Sequence, residues 1–226
     1  MSTPSTPGTG LMAILRGITP RDVVAVGSAL AEEGFPAIEV PLNSPDPFRS
    51  IELLAAAVGD VCAVGAGTVL SVDDVIRADG AGARIIVAPN TDNQVIAFAV
   101  SRNLRPYPGV ATVTEAFQAL SAGARSLKLF PSDAVGIAGM KAWQSVLPRY
   151  VELLPVGGVD RSNLAAWARA GAAGAGLGSS LYRPGDSAEK VRADARILLD
   201  VWGSATGCPT NSSTETCDQA DAQDVP

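Results

Sequence analysis

Short apolar runs alternate with amphipathic, alanine-rich segments along most of the chain. The runs predict strands at residues 11–16, 37–43, 62–68, 84–89, 105–111, 126–131, 152–157 and 173–179, each followed by a helical pattern. Helix starts are marked by Thr19-Pro20, by Ser71 with Asp74 as a capping box, and by Thr112 or Thr114 ahead of Glu115. Glycines at Gly34, Gly59, Gly123 and Gly171 predict helix ends in the left-handed conformation.

Eight βα units in a row predict an α/β fold, a (β/α)8 TIM barrel, because parallel strands joined by helical crossovers close when the count reaches eight. A doubly wound open sheet gives the same alternation and is the alternative. The expected organisation is a short lead-in over residues 1–10, one barrel domain over 11–202, and a disordered acidic tail over 203–226, where the composition turns to Ser, Thr, Gln, Asp and Pro. Of the net charge of −6, Glu215, Asp218, Asp221 and Asp224 place four negative charges in that tail. The body is therefore close to neutral, which argues against a nucleic-acid partner, and no apolar run is long enough for a membrane span. Cys62, Cys208 and Cys217 match neither a zinc site nor a disulfide framework, and the start of the chain lacks an apolar signal core. A cytoplasmic protein is expected.

One charge breaks the apolar pattern. Lys128 lies inside Ser126-Leu127-Lys128-Leu129-Phe130-Pro131, in a chain with three lysines and no histidine. A buried, unpaired ammonium costs several kcal/mol or loses its proton as its pKa falls from about 10.4, and a neutral amine is what attacks a carbonyl. Strand alternation sends Ser126, Lys128 and Phe130 into the barrel and Leu127 and Leu129 toward the helices. By the same rule Glu39 points inward with Ala37 and Pro41, while Ile38 and Val40 point out. A purely structural ion pair is the competing account of Lys128 and Glu39, and buried pairs are poor stabilisers. Lys141 and Lys190, on helices, read as solvated surface residues.

Barrel active sites lie at the C-terminal strand ends, which here carry Arg16, Glu39, Thr68, Pro89 with Asn90, Lys128, Gly157-Gly158, and Gly178-Ser179. The glycines ending the seventh and eighth strands fit a phosphate site built from backbone N–H groups.

Ala13-Ile14-Leu15-Arg16-Gly17, Ile38-Glu39-Val40-Pro41-Leu42-Asn43-Ser44-Pro45, Gly65-Ala66-Gly67-Thr68-Val69, Leu127-Lys128-Leu129-Phe130-Pro131 and Pro155-Val156-Gly157-Gly158-Val159 together resemble the class I aldolases that act on 2-keto-3-deoxy-6-phosphogluconate and its galactonate epimer. The resemblance implies a lyase with Lys128 as Schiff-base lysine, Glu39 as acid/base, and Arg16, Thr68, Pro89, Phe130 and Val156 around the substrate. It implies phosphate on Gly157, Gly158, Gly178 and Ser179, and a homotrimer. Members specific for the gluconate epimer read Glu-Val-Thr-Leu-Arg and Pro-Thr-Gly-Gly where this chain has Pro41, Asn43 and Val156, so it is similar to the galactonate branch. The expected reaction is cleavage of 2-dehydro-3-deoxy-6-phosphogalactonate to pyruvate and D-glyceraldehyde 3-phosphate. No cofactor or metal is expected, because an iminium ion serves as the electron sink. A gluconate or dual-specificity aldolase, a phosphate-binding barrel isomerase or synthase, and a non-catalytic sugar-phosphate binder remain as alternatives.

Overall fold

The computed structural model describes residues 10–207. Its strands are β1 (Gly10–Ile14), β2 (Ala37–Pro41), β3 (Ala63–Gly67), β4 (Ile85–Val87), β5 (Arg105–Tyr107), β6 (Gly109–Val110), β7 (Ser126–Leu129), β8 (Glu152–Pro155) and β9 (Gly174–Leu177). The helices are α1 (Val23–Glu32), α2 (Pro47–Val58), α3 (Val72–Gly80), α4 (Asn93–Ser101), α5 (Val113–Ser121), α6 (Ser132–Gln144), α7 (Leu164–Arg169) and α8 (Ala188–Thr206).

Every pairing is parallel, in the orders β5-β4-β3-β2-β1-β9 and β6-β7-β8, and a bridge from Val156 to Gly176 joins β8 to β9. The ring closes because β9 pairs with β1, the bridge joins β8 to β9, and β5 leads directly into β6; an open doubly wound sheet would leave two free edges, so the fold is a (β/α)8 barrel. The fifth barrel strand, expected as one run over 105–111, is divided into β5 and β6 at Pro108. Proline has no N–H for the ladder, yet its carbonyl still accepts from the Lys128 N–H at 2.9 Å. β5 therefore serves β4, and β6 serves β7.

Strand alternation sorts the side chains into two layers. Ile38, Val40, Leu127 and Leu129 join the large apolar cluster under the helices. Met12, Ala37, Ile85, Val87, Tyr107 and Leu154 form a smaller cluster that fills the barrel. At the N-terminal mouth Ser126 donates to Glu152 at 2.8 Å, and Arg105 holds both Ser126, at 3.0 Å, and Glu152. Carboxylate and guanidinium are thereby paired at the mouth, each about a quarter exposed.

The caps follow the sequence with local changes. Thr112 and Glu115 form a complete capping box. Ser71 accepts from the Asp74 N–H at 3.1 Å, while the shorter Asp74 carboxylate takes the Leu70 N–H and the Ser71 hydroxyl. Helix α1 starts later than Thr19-Pro20 predicts: Asp22 is the N-cap, and the Thr19 hydroxyl is occupied by Asp22 Oδ2 at 2.7 Å. Gly34, Gly123 and Gly171 have positive φ, whereas Gly59 stays right-handed at −61°. The last helix continues past Trp202 through buried Gly203 to Thr206 and ends on left-handed Gly207, so the barrel domain extends beyond the expected boundary at 202. The rest of the expected tail and most of the lead-in lie outside the described residues. Among the described residues, no helix is long and apolar enough to cross a membrane.

Candidate active site

Lys128 occupies the third position of β7, opposite Gly109 on one side and Leu154 on the other, and is 7% exposed. Burial holds its pKa below the usual lysine range; the Glu39 charge opposes that shift and the Arg16 charge adds to it. The amine stands 4.4 Å from the centre of the Phe130 ring, so an aromatic face sits where a surface lysine would have water.

Glu39 sits mid-strand in β2 at 2% exposure, and its Oε2 is buried without a hydrogen-bond partner. Burial pushes its carboxyl up to about 7, against the pull of Lys128 and then of Arg16. A carboxyl poised there gives and takes protons near neutral pH, which is the property of an acid/base group. The space it fills exists because residue 67, on the neighbouring strand β3, is glycine. A Cβ at Gly67 would lie 1.7 Å from Glu39 Oε2.

The strand ends above these two groups are drawn together by close backbone approach. Thr68 follows β3 with φ of 57°, a left-handed conformation that costs a β-branched residue on the order of 1–3 kcal/mol and that clusters at functional sites. Pro89 follows β4, and its carbonyl would meet a Cβ on Gly109 at 2.2 Å. Arg16 follows β1, is exposed, and donates to Asn43 Oδ1 at 2.9 Å; beside it the Gly17 N–H donates to the buried Ser44 hydroxyl at 2.9 Å. The loops after β1 and β2 are thus tied to each other.

The loop after β8 turns on Gly157 (φ 93°) and Gly158 (φ 69°). Three side chains pin its carbonyls in succession: Ser132 donates to Gly157 O, Asn163 to Gly158 O at 2.7 Å, and Ser180 to Val159 O at 2.9 Å. In a planar trans peptide the following N–H points opposite to the carbonyl, so pinning the Gly157 and Gly158 oxygens turns the Gly158 and Val159 N–H groups the other way. This loop, with Gly178 and Ser179 beyond β9, borders a cleft of about 320 Å³ whose walls also include Arg16, Phe130, Val156 and Arg183.

Of the residues singled out by sequence, the cleft brings together Arg16, Phe130, Val156, Gly157, Gly158, Gly178 and Ser179. Lys128, Glu39, Thr68 and Pro89 are not among its wall residues; Phe130, which both lines the cleft and covers the Lys128 amine, connects the two groups. Asn90 is exposed, and its carbonyl accepts from the Gly109 N–H at 3.2 Å. Lys141 is exposed, as is Lys190, which pairs with Asp186 and Asp194. Sequence reasoning did not find Gly67, Ser132 or Arg183. Ser132 follows the lysine motif directly, but a hydroxyl one residue past Phe130-Pro131 carries no sign that it reaches a carbonyl of another loop. Arg183 is a lone cation in Tyr182-Arg183-Pro184-Gly185, beyond the last strand-end glycine.

The profile of the family described as KDPG and KHG aldolase matches residues 8–193. The 2-dehydro-3-deoxy-6-phosphogalactonate aldolase of Escherichia coli (strain K12) is 47% identical over 195 residues, covering 86% of this chain and 95% of that protein. A solved structure described as native KDPGal is 46% identical with a TM-score of 0.85, over 87% of this chain and 96% of that one. A cube-shaped protein cage designed by fusing symmetric oligomeric domains is 46% identical with a TM-score of 0.86, over 88% of this chain and 73% of that one.

Proposed function

The chain belongs to the KDPG and KHG aldolase family, and we infer that it is a lyase that reversibly cleaves 2-dehydro-3-deoxy-6-phosphogalactonate to pyruvate and D-glyceraldehyde 3-phosphate. The observation that carries the reading is the pair of buried groups in the barrel, an amine with lowered pKa at Lys128 and a carboxyl raised to about 7 at Glu39.

In this mechanism neutral Lys128 attacks the C2 carbonyl, and loss of water from the carbinolamine gives an iminium ion. Glu39, directly or through water, takes the C4 hydroxyl proton. The C3–C4 electron pair flows into the iminium, which becomes an enamine, and the aldehyde departs. Glu39 then returns a proton to C3, and hydrolysis of the imine frees pyruvate and Lys128. A proton shuttle of this kind accounts for about 10²- to 10⁴-fold of the rate. Thr68 and Pro89 border the pyruvyl part, Phe130 keeps water from the amine, and Arg16 holds the anionic substrate. Gly157, Gly158, Gly178 and Ser179 receive the phosphate, with the Gly158 and Val159 N–H groups as donors.

Val156 bears on the epimer. Its side chain fits against Gly176, where a Cβ would come within 2.7 Å of it. A valine offers the C4 hydroxyl no hydrogen bond, whereas a threonine does, so discrimination in favour of the gluconate epimer is absent. The resemblance to galactonate-type relatives supports the same choice. Comparing kcat/KM on the two 6-phosphate epimers tests it: the galactonate epimer should be cleaved faster, and a strong gluconate preference overturns the assignment. The enzyme works in the cytoplasm as a homotrimer; the designed cage built from symmetric oligomeric domains supports assembly, and light scattering should return the mass of three chains.

A further inference from the structure

One cation in the cleft wall has no part in the chemistry above. Arg183 lies in the loop between β9 and α8 and faces the same cleft as Gly157, Gly158 and Ser179. Its position is fixed from three directions. Nε donates to the Ser179 carbonyl at 3.2 Å, its backbone N–H donates to Asp186 at 2.9 Å, and the adjoining Pro184 packs on Gly17, where a Cβ would come within 2.7 Å of the proline ring. Three basic residues along this edge are engaged in ion pairs, Lys190 with Asp186 and Asp194, Arg192 with Glu32 and Glu33, and Arg196 with Glu33, while Arg161 stands next to Asp160 in the adjoining groove. Among the described residues, no carboxylate pairs with Arg183 in this way. The carboxylate in the same wall, Asp160, accepts instead from the Ser162 N–H and hydroxyl at 2.7 and 2.5 Å.

We propose that Arg183 is the side-chain cation of the phosphate subsite and that it carries the preference for phosphorylated over unphosphorylated sugar acids. Backbone N–H groups supply partial charge only, while a phosphate monoester brings close to two negative charges. Arg16 is tied to Asn43 on the loops after β1 and β2, which leaves Arg183 as the cation on the loop that carries Ser179. With Nε held by Ser179, the two terminal nitrogens form a planar fork that suits a pair of phosphoryl oxygens.

The identity of the substrate rests on the aldolase reading, so the test has two arms. In the first, kcat/KM is measured for the 6-phosphate and for the unphosphorylated 2-dehydro-3-deoxy sugar acid on wild type, Arg183→Gln and Arg183→Lys. The ratio of the two should fall by about tenfold or more in Arg183→Gln, mainly through KM, the size expected for one hydrogen bond to a charged group, and recover in part in Arg183→Lys. A ratio within about twofold of wild type overturns the proposal, including the case in which both substrates slow equally because Arg183 only braces Ser179. In the second arm glycerol 3-phosphate is titrated calorimetrically into wild type and Arg183→Gln. Its Kd should rise by about tenfold, and an unchanged Kd overturns the proposal. This arm needs no turnover, so a failure of the aldolase chemistry would not be mistaken for a failure at Arg183.

Discussion

Within the barrel, burial lowers the proton affinity of the Lys128 amine and raises that of the Glu39 carboxyl, the latter to about 7, so the two groups are moved toward each other. The Glu39 shift has a consequence for stability that does not depend on substrate. A carboxyl raised from 4.5 to about 7 on folding binds its proton more tightly in the folded chain, so its contribution is fully present below about 4.5 and is lost as pH climbs to about 7. In Glu39→Gln that pH-dependent loss should vanish. The stability difference between variant and wild type should shift in the variant's favour across pH 4.5 to 7, by roughly 3 kcal/mol at most, read by denaturant melts at several pH values. A difference that stays flat over that window would contradict a buried, proton-holding Glu39. Lys128 and Glu39 were legible because each interrupts an apolar run, and strand alternation gave their direction. Gly67 was not legible, since its role is the volume it leaves for a carboxylate on another strand, and a glycine beside Thr68 in a strand also reads as a turn.

At the scale of elements, β3 is placed by what it must not carry. An alanine at 67 would put a methyl carbon 1.7 Å from Glu39 Oε2 and 2.3 Å from its Cδ, with no solvent for the carboxyl to retreat into. Gly67→Ala should lower stability by about 1–3 kcal/mol, as overpacking does, seen as a drop in Tm by calorimetry. It should also cut kcat strongly; a variant that melts and turns over like wild type would show that β2 and β3 are not so closely spaced. The periodic pattern located every barrel strand but not the break at Pro108, because a proline inside an apolar run reads as an edge while here it divides one strand between two neighbours. The start of α6 was not legible for a related reason: Gly136, at φ 67° and ψ 168°, interrupts the helix, and its first turn over Ser132 to Val135 is too short to show a helical period.

The whole molecule closes through β9 on β1, and that closure makes α8 part of the fold rather than a trailing element. It packs along α1 and α7 and ties itself to α1 through Arg192 and Arg196 on Glu32 and Glu33. Composition alone placed the end of the domain at Trp202, since Gly203 to Thr206 are small or polar; the structure carries the helix to Thr206, with Gly203 buried. A chain ending at Gly207 should therefore keep full activity, whereas one ending at Trp202 should lose a few degrees of Tm, because the last helical turn and its Gly207 cap are gone. Equal melting temperatures for the two truncations would return the boundary to 202. What this architecture achieves is to bring a carboxyl on β2 and an amine on β7 into one interior, next to a cleft bordered by glycines, and that arrangement matters only if the amine reacts. Incubation with pyruvate, reduction by borohydride and peptide mass mapping asks this directly. The account predicts a single reduced pyruvyl adduct on Lys128, lost in Lys128→Met; active protein that yields no adduct there would contradict it.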